Sequence, residues 1–329
     1  MKKVICFGEV LWDDFGAVKT IGGAPLNVSY HLSKLNITPI IASQVGSDEL
    51  GRAIVDQVAE WNIVGSFLNI TDRYPTSTVK VYLSEGEKGG GEVSYTIVEN
   101  VAWDHIEFDQ NLLQEIREAD AFVFGTLAAR SPETRSVLMQ YVSAAKWPVL
   151  DINLRQPYTH KEVILPLVSA CKSIKLNEQE LLFIHQLVQS EIAAAQRTAE
   201  LGKRSAEHLS LDLPLTGDPV QAFIQVKVNE VFKHFENIEE IILTRGADGA
   251  AIYTSKGHVA LPGIKVLVKD TVGSGDSFLA AFIHGRLSGH SNEDILKEAT
   301  GLSAFMATQT GGCPPYSLND IENFKKSIL

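Results

Sequence analysis

The residues best suited to chemistry in this 329-residue chain stand in one run, Asp270-Thr271-Val272-Gly273-Ser274-Gly275-Asp276. Beyond it Phe278, Leu279, Phe282 and Ile283 recur at helical spacing, and Gly289 is placed to end that helix. The glycines are therefore expected at a helix N-terminus, where unpaired backbone N–H groups and the positive end of the helix dipole favour a phosphate or a developing negative charge. Gly273 and Gly275 allow a backbone approach that a side chain would block. Asp276 starts the predicted helix, which makes it an N-cap carboxylate on local grounds. Beside an anion-stabilising pocket the same carboxylate is also placed to deprotonate a phosphoryl acceptor. The run is neither a Walker A loop, since it lacks Gly-Lys-Ser/Thr, nor the dinucleotide fingerprint G-x-G-x-x-G.

The elements that must hold this segment read as an α/β alternation. Val4 to Phe7 is a first buried strand, Ala24 to Leu35 a helix, Pro39 to Val45 a strand, and Asp48 to Trp61 a helix with Ser47 as its N-cap. Later strands are expected at Ala121–Phe124, Pro148–Ile152, Ser173–Leu176, Ile241–Thr244 and Ala250–Thr254. This rhythm predicts a mainly parallel sheet with helices on both faces. Two segments break it: residues 11–21, and residues 77–98, where two alternating runs flank Gly86-Glu87-Lys88-Gly89-Gly90-Gly91. They are expected to form a small β-sheet outside the main one, either an edge decoration or a lid over a ligand. The tract from His185 to Val231 is expected to be helix plus a surface loop near Pro214 and Pro219. No linker or composition shift divides the chain, so residues 1–329 are expected to form one domain.

Composition narrows the function. Hydrophobic residues make up 45% of the chain, enough for a substantial core, and the net charge of -11 offers no footprint for nucleic acid or an anionic membrane surface. Cys6, Cys171 and Cys313 are scattered and odd in number, which suggests neither disulfides nor a zinc site and fits a reducing, cytoplasmic setting. The first apolar run ends at Gly8 and Glu9, too short for a signal peptide or a membrane span.

The run from Asp270 to Asp276 resembles the C-terminal signature of the ribokinase-like, PfkB-type carbohydrate kinases. The resemblance implies ATP-dependent phosphorylation of a sugar, with Asp276 as base, the amides of Gly273, Ser274 and Gly275 as anion hole, and Asp270 near an activating monovalent cation such as K⁺. Other segments match in the same order. Gly22-Gly23-Ala24-Pro25-Leu26-Asn27 is similar to the N-terminal Gly-Gly signature, which implies sugar contacts by Gly22, Gly23 and Asn27, and Asp13 matches a carboxylate that accepts from sugar hydroxyls. A polyol does need fixed acceptors and close backbone donors. Asn177-Glu178-Gln179-Glu180 is similar to the family's Asn-x-x-Glu element, which implies phosphate contact by Asn177 and Mg²⁺ held through water by Glu180. Read without the match, Glu178 and Glu180 are carboxylates favoured at a helix start. Thr244-Arg245-Gly246-Ala247-Asp248-Gly249 resembles the strand-end loop that lines the nucleotide, implicating Thr244, Gly246 and Gly249.

Asp151-Ile152-Asn153-Leu154-Arg155 looks like the fructokinase and 2-keto-3-deoxygluconate kinase branch, with the planar fork of Arg155 near the transferred phosphoryl group or an acidic substrate. Fructose is the favoured sugar and a 2-keto-3-deoxy sugar acid its rival; the discriminator is a second cation on the lid, for which Lys80 and Lys88 are candidates. The resemblance also implies a homodimer through the lids. A silent sugar- or nucleotide-binding regulator and a dinucleotide-dependent oxidoreductase are readings from other classes. Intact Asp276, Asn177 and Glu180 speak against the first, and the missing G-x-G-x-x-G against the second.

Overall fold

The apolar runs of the sequence become strands buried on both faces. The computed structural model describes residues 2–14, 16, 18–83, 93–201 and 219–327. Its strands are β1 (Lys3–Phe7), β2 (Leu11–Asp14), β3 (Lys19–Gly22), β4 (Thr38–Gly46), β5 (Val64–Thr71), β6 (Ser77–Leu83), β7 (Val93–Ile97), β8 (Ala121–Gly125), β9 (Pro148–Asp151), β10 (Ser173–Asn177), β11 (Glu240–Thr244), β12 (Ala250–Thr254) and β13 (Gly257–Leu261). Nine of them form one sheet in the order β13-β12-β11-β10-β9-β8-β1-β4-β5, parallel from β11 to β5, with β12 and β13 antiparallel at one edge.

The two-residue period of the strands divides the core. Ile5, Phe7, Phe122 and Phe124 face one side, with Leu138, Tyr141 and Ile164 from helices Pro132–Ala144 and Lys161–Ala170. Val4, Cys6, Ala121 and Val123 face the other, against Leu26 and Leu32 of helix Ala24–Lys34 and Phe278, Leu279 and Phe282 of helix Ser274–Leu287. Each Val, Leu, Ile or Phe among them taken fully from water contributes about 1.5–3 kcal/mol. This is the ribokinase-like arrangement, a mainly parallel sheet covered on both faces, and it fixes the start of helix Ser274–Leu287 at the sheet's C-terminal edge. No helix among the described residues is long and apolar enough to cross a membrane.

A separate four-stranded sheet, in the order β3-β2-β6-β7, carries the segments that broke the rhythm. β6 and β7 pair antiparallel, as the alternating runs suggested, and β6 pairs parallel with β2. The Gly86–Gly91 tip, Lys88 and the stretch 202–218 with Pro214 lie outside the described residues.

Several local expectations are corrected. Asp48, not Ser47, caps helix Glu49–Glu60: its Oδ1 accepts from Gly51 N at 2.8 Å while its Oδ2 accepts from Thr76 N at 2.8 Å, tying the helix to the entry of β6. Pro219 opens helix Pro219–His234 rather than lying in a loop, a position where its missing N–H costs nothing. Strands β5 and β13 were not expected; both are edge strands whose residues are largely exposed or half-buried, so neither shows a clean apolar pattern.

Candidate active site

The parallel strands end at a common edge, and the residues with chemical potential collect there. A cleft of about 470 Å³ opens between the main and small sheets, a size suited to a small-molecule site. Leu11, Asp13, Val79 and Ile97 of the small sheet form one wall; Glu9, Gly23, Asn27, Asn153, Arg155, Lys175, Asn177, Gly273, Gly275 and Asp276 line the rest.

The helix start at Ser274 is open. Its N-cap is Gly273, in the left-handed region at φ 73°, and no side chain caps the first turn. Asp276 is therefore the third helical residue and not the cap. A Cβ on residue 273 would stand 2.6 Å from Gly312 Cα, so sterics as well as φ require glycine. The Ser274 N–H is satisfied by Thr271 O at 3.2 Å, and Ser274 is not on the cleft wall. Gly273 and Gly275 are, so the uncapped turn offers the cleft an anion site.

Asp276 Oδ2 accepts from Asn27 Nδ2 at 2.7 Å, and Asn27 Oδ1 accepts from Cys313 Sγ at 3.2 Å. Burial pushes the Asp276 carboxyl up to about 6, and the charge of Asp151 adds to this; Lys175, Asn27 and Arg155 oppose it. Such a group is ionised at neutral pH yet basic enough to take a proton from a polarised hydroxyl. Asp13 is pushed to about 6, chiefly by burial, with Arg155 opposing and Asp276 adding. Glu9 reaches about 7 through burial and the neighbouring Asp276 charge. The Gly-Gly pair makes room for this cluster: a Cβ on Gly22 would lie 2.3 Å from Asp13 Oδ2, and one on Gly23, at φ 109°, would lie 2.4 Å from Glu9 O.

The Asn-x-x-Glu element is a closed capping box. Asn177 Oδ1 accepts from Glu180 N at 2.9 Å, Glu180 Oε2 accepts from Asn177 N at 2.8 Å, and Glu180 Oε1 accepts from Leu154 N at 3.0 Å. Asn177 reaches the cleft wall and Glu180 does not. Arg245 Nε donates to Glu178 Oε1 at 2.6 Å, which gives Arg245 a structural partner. Thr244 lies in register beside Asn177, but Thr244, Gly246 and Gly249 stand off the cleft wall. Gly249, at φ 102°, brings its turn so close that a Cβ would meet Leu261 O at 2.0 Å. Asp270 is likewise off the wall, its Oδ1 accepting from Val272 N at 3.0 Å and its Oδ2 from Gly311 N at 2.9 Å. Arg155 is exposed at the cleft, and its charge is felt at Glu9, Asp13 and Asp276.

Sequence reasoning passed over Lys175 and Glu9. Lys175 Nζ donates to Asp151 Oδ1 at 2.9 Å and Oδ2 at 3.1 Å. Burial opposes its charge, but the Asp151, Asp276 and Glu180 carboxylates outweigh that and raise its proton affinity. The available signal was a lone charge inside the apolar strand Ser173-Ile174-Lys175-Leu176.

Comparison with known proteins identifies the family. The pfkB family carbohydrate kinase profile matches residues 2–210 and 220–318. Fructokinase-2 of Oryza sativa subsp. japonica is 25% identical over 340 residues, covering 94% of this chain and 90% of that one. The 5-dehydro-2-deoxygluconokinase of Listeria innocua serovar 6a is 26% identical over 302 residues, covering 88% and 82%. A fructokinase double mutant of Vibrio cholerae O395, solved with fructose, ADP and potassium ion bound, superposes with a TM-score of 0.74 at 22% identity, covering 98% of both chains. The chain belongs to the pfkB family of carbohydrate kinases and is a sugar kinase.

Proposed function

We propose that the acceptor is fructose, phosphorylated on its primary hydroxyl to fructose 6-phosphate. The observation that carries this choice is the small-sheet wall of the cleft, where Leu11, Val79 and Ile97 are apolar and the charged group among the described residues is the carboxylate of Asp13. A neutral polyol suits that wall, whereas a sugar acid would meet like charge with no cation on that wall among the described residues. Lys80, a candidate for that cation, is exposed on β6 and absent from the described wall. The relatives named fructokinase support the same reading.

In the proposed reaction Asp276 takes the hydroxyl proton as the acceptor oxygen attacks the γ-phosphorus, and the open turn from Gly273 to Gly275 stabilises the charge that develops. Asn27 orients Asp276 and, with Asp13, Gly22 and Gly23, shapes the sugar end. Arg155 stands where it can steady the transferred phosphoryl group. Thr244, Gly246 and Gly249 would flank the nucleotide. Mg²⁺ bound with ATP would offset triphosphate charge, and Glu180 would hold it through water, since both Glu180 oxygens already accept backbone N–H groups. Asp270 supplies a hard oxygen donor of the kind K⁺ takes. The small sheet acts as a lid on the domain formed by residues 1–329, and its outer strands provide the surface for a homodimer. Free, buried Cys6 and Cys171 are consistent with a reducing cytoplasm.

The test is ADP release with Mg²⁺ and ATP against fructose, ribose, 2-keto-3-deoxygluconate, fructose phosphates, adenosine and no acceptor. Fructose should give the highest kcat/KM. Faster release with the sugar acid would overturn the choice of sugar and leave the kinase chemistry standing.

A further inference from the structure

We infer that His31 is a positioning residue for the phosphoryl transfer: it bolts Gly312 beneath the open helix start and thereby holds Asn27, and through it Asp276, in place. His31 lies on helix Ala24–Lys34 one turn after Asn27, so both side chains leave the same face. That face meets residues 308–317, which join helices Asn292–Ala307 and Leu318–Ser327 without a helix or strand of their own. The polar backbone of such a stretch needs partners from outside it. Tyr30 Oη donates to Pro314 O, and Cys313 Sγ donates to Asn27 Oδ1 at 3.2 Å. The His31 ring stands 3.0 Å from Gly312 O through Nε2 and 2.9 Å from Tyr316 Oη through Nδ1. A carbonyl only accepts, so Nε2 carries the proton and Nδ1 accepts from the Tyr316 hydroxyl.

The imidazole is fully buried, and burial pushes its pKa down to about 3, so it stays neutral with both nitrogens in use. An apolar residue would fill the same space without the cost of taking a polar ring from water, so packing is a poor reason for a histidine. What the ring fixes is the position of Gly312. A Cβ on Gly312 would stand 2.9 Å from Asn27 Nδ2, and one on Gly273 would stand 2.6 Å from Gly312 Cα. Gly312 is thus wedged between the amide that donates to Asp276 at 2.7 Å and the glycine at the open turn. Beside it, Gly311 N donates to Asp270 Oδ2 at 2.9 Å. The base and the anion site share one bed, and the pair His31–Tyr316 sets where that bed lies. His31 is not on the cleft wall and acts only through Gly312 and Asn27.

The inference rests on Asp276 as the base and not on the choice of fructose, so kcat is measured across pH with whichever acceptor the parent turns over fastest. His31→Leu should lower kcat by about 10–10²-fold, as for a small misplacement of reacting groups. Its acid limb should move up by roughly half a pH unit, because a loosened Asn27 no longer favours the charged Asp276 carboxylate. The charges of Asp151, Lys175 and Arg155, which also act on Asp276, stay in place. His31→Gln, which offers an N–H donor and an acceptor on one side chain, should recover most of the loss. Leu138→Ala, buried in the layer across the sheet, should lower the melting midpoint but keep the kcat and acid limb of the parent. A His31→Leu enzyme within about threefold of the parent in kcat, or one whose loss comes without a shift of the limb or is shared by Leu138→Ala, would overturn the inference. If His31→Leu does not fold, Tyr316→Phe removes one hydroxyl: a kcat loss of about three- to tenfold with the same upward shift is expected, and parent-like kcat and limb would overturn it. Failure of Asp276 as the base is a separate result, read from an Asp276→Asn enzyme that keeps its turnover whatever His31 does.

Discussion

Two helices begin at the C-terminal edge of the main sheet, and their first turns are finished in opposite ways. At Glu178 the turn is closed: Asn177 and Glu180 cap each other, and the remaining Glu180 oxygen accepts from Leu154 N, stitching the loop after β9 to the start of the helix. At Ser274 the turn is open: Gly273 supplies no side-chain cap, and the carboxylate of Asp276 accepts from a side chain, Asn27, at 2.7 Å. Glu180 stands off the cleft and Asp276 lines it. A carboxylate with both oxygens held by backbone N–H groups acts as a strut. One left with lone pairs facing a cleft, beside unpaired amides, can act as a reagent.

That contrast predicts where damage will be chemical and where it will be structural. Asp276→Asn at the open start should lower kcat by about 10²–10⁴-fold, the range for loss of a general base, with ADP binding largely kept. Gly273→Ala should cost about 10²–10³-fold in kcat by distorting the anion site, because the new Cβ meets Gly312 at φ 73°. Glu180→Ala at the closed start should act first on stability, by about 1–3 kcal/mol, since it strands the N–H groups of Asn177 and Leu154; its thermal unfolding midpoint should fall while kcat falls less than in Gly273→Ala.

The remaining effect concerns stability and pH. The Asp276 carboxyl is raised from 3.8 to about 6, so between those values the folded state holds the proton more tightly, and stability declines as pH rises through that window. Asp276→Asn should therefore be more stable than the parent above pH 6, by roughly 3 kcal/mol, and lose most of that advantage by pH 4. Thermal melts of the two proteins at both pH values check this.

The open start was legible because its whole chemistry is contiguous: glycines, a carboxylate and the apolar helix that orients them lie within Asp270–Ile283. The alternation of strands and helices was legible for the same local reason. Lys175 was not, because its ion pair with Asp151 crosses a strand pairing and its Nζ lies close over Gly275, neither of which a run of residues records. Asp48 and not Ser47 holds the N-cap, because a cap is chosen by backbone geometry and not by residue type alone. Strands β5 and β13 escaped because edge strands need not be apolar.

The most direct test of the open start as the seat of catalysis is kcat measured from pH 5 to 9 for the parent enzyme and Asp276→Asn with the same acceptor. The parent should lose activity about tenfold per pH unit below an apparent pKa near 6, and the variant should be slow and flat across that limb. An Asp276→Asn enzyme that keeps both the acid limb and turnover within about tenfold of the parent would contradict the assignment of Asp276 as the base.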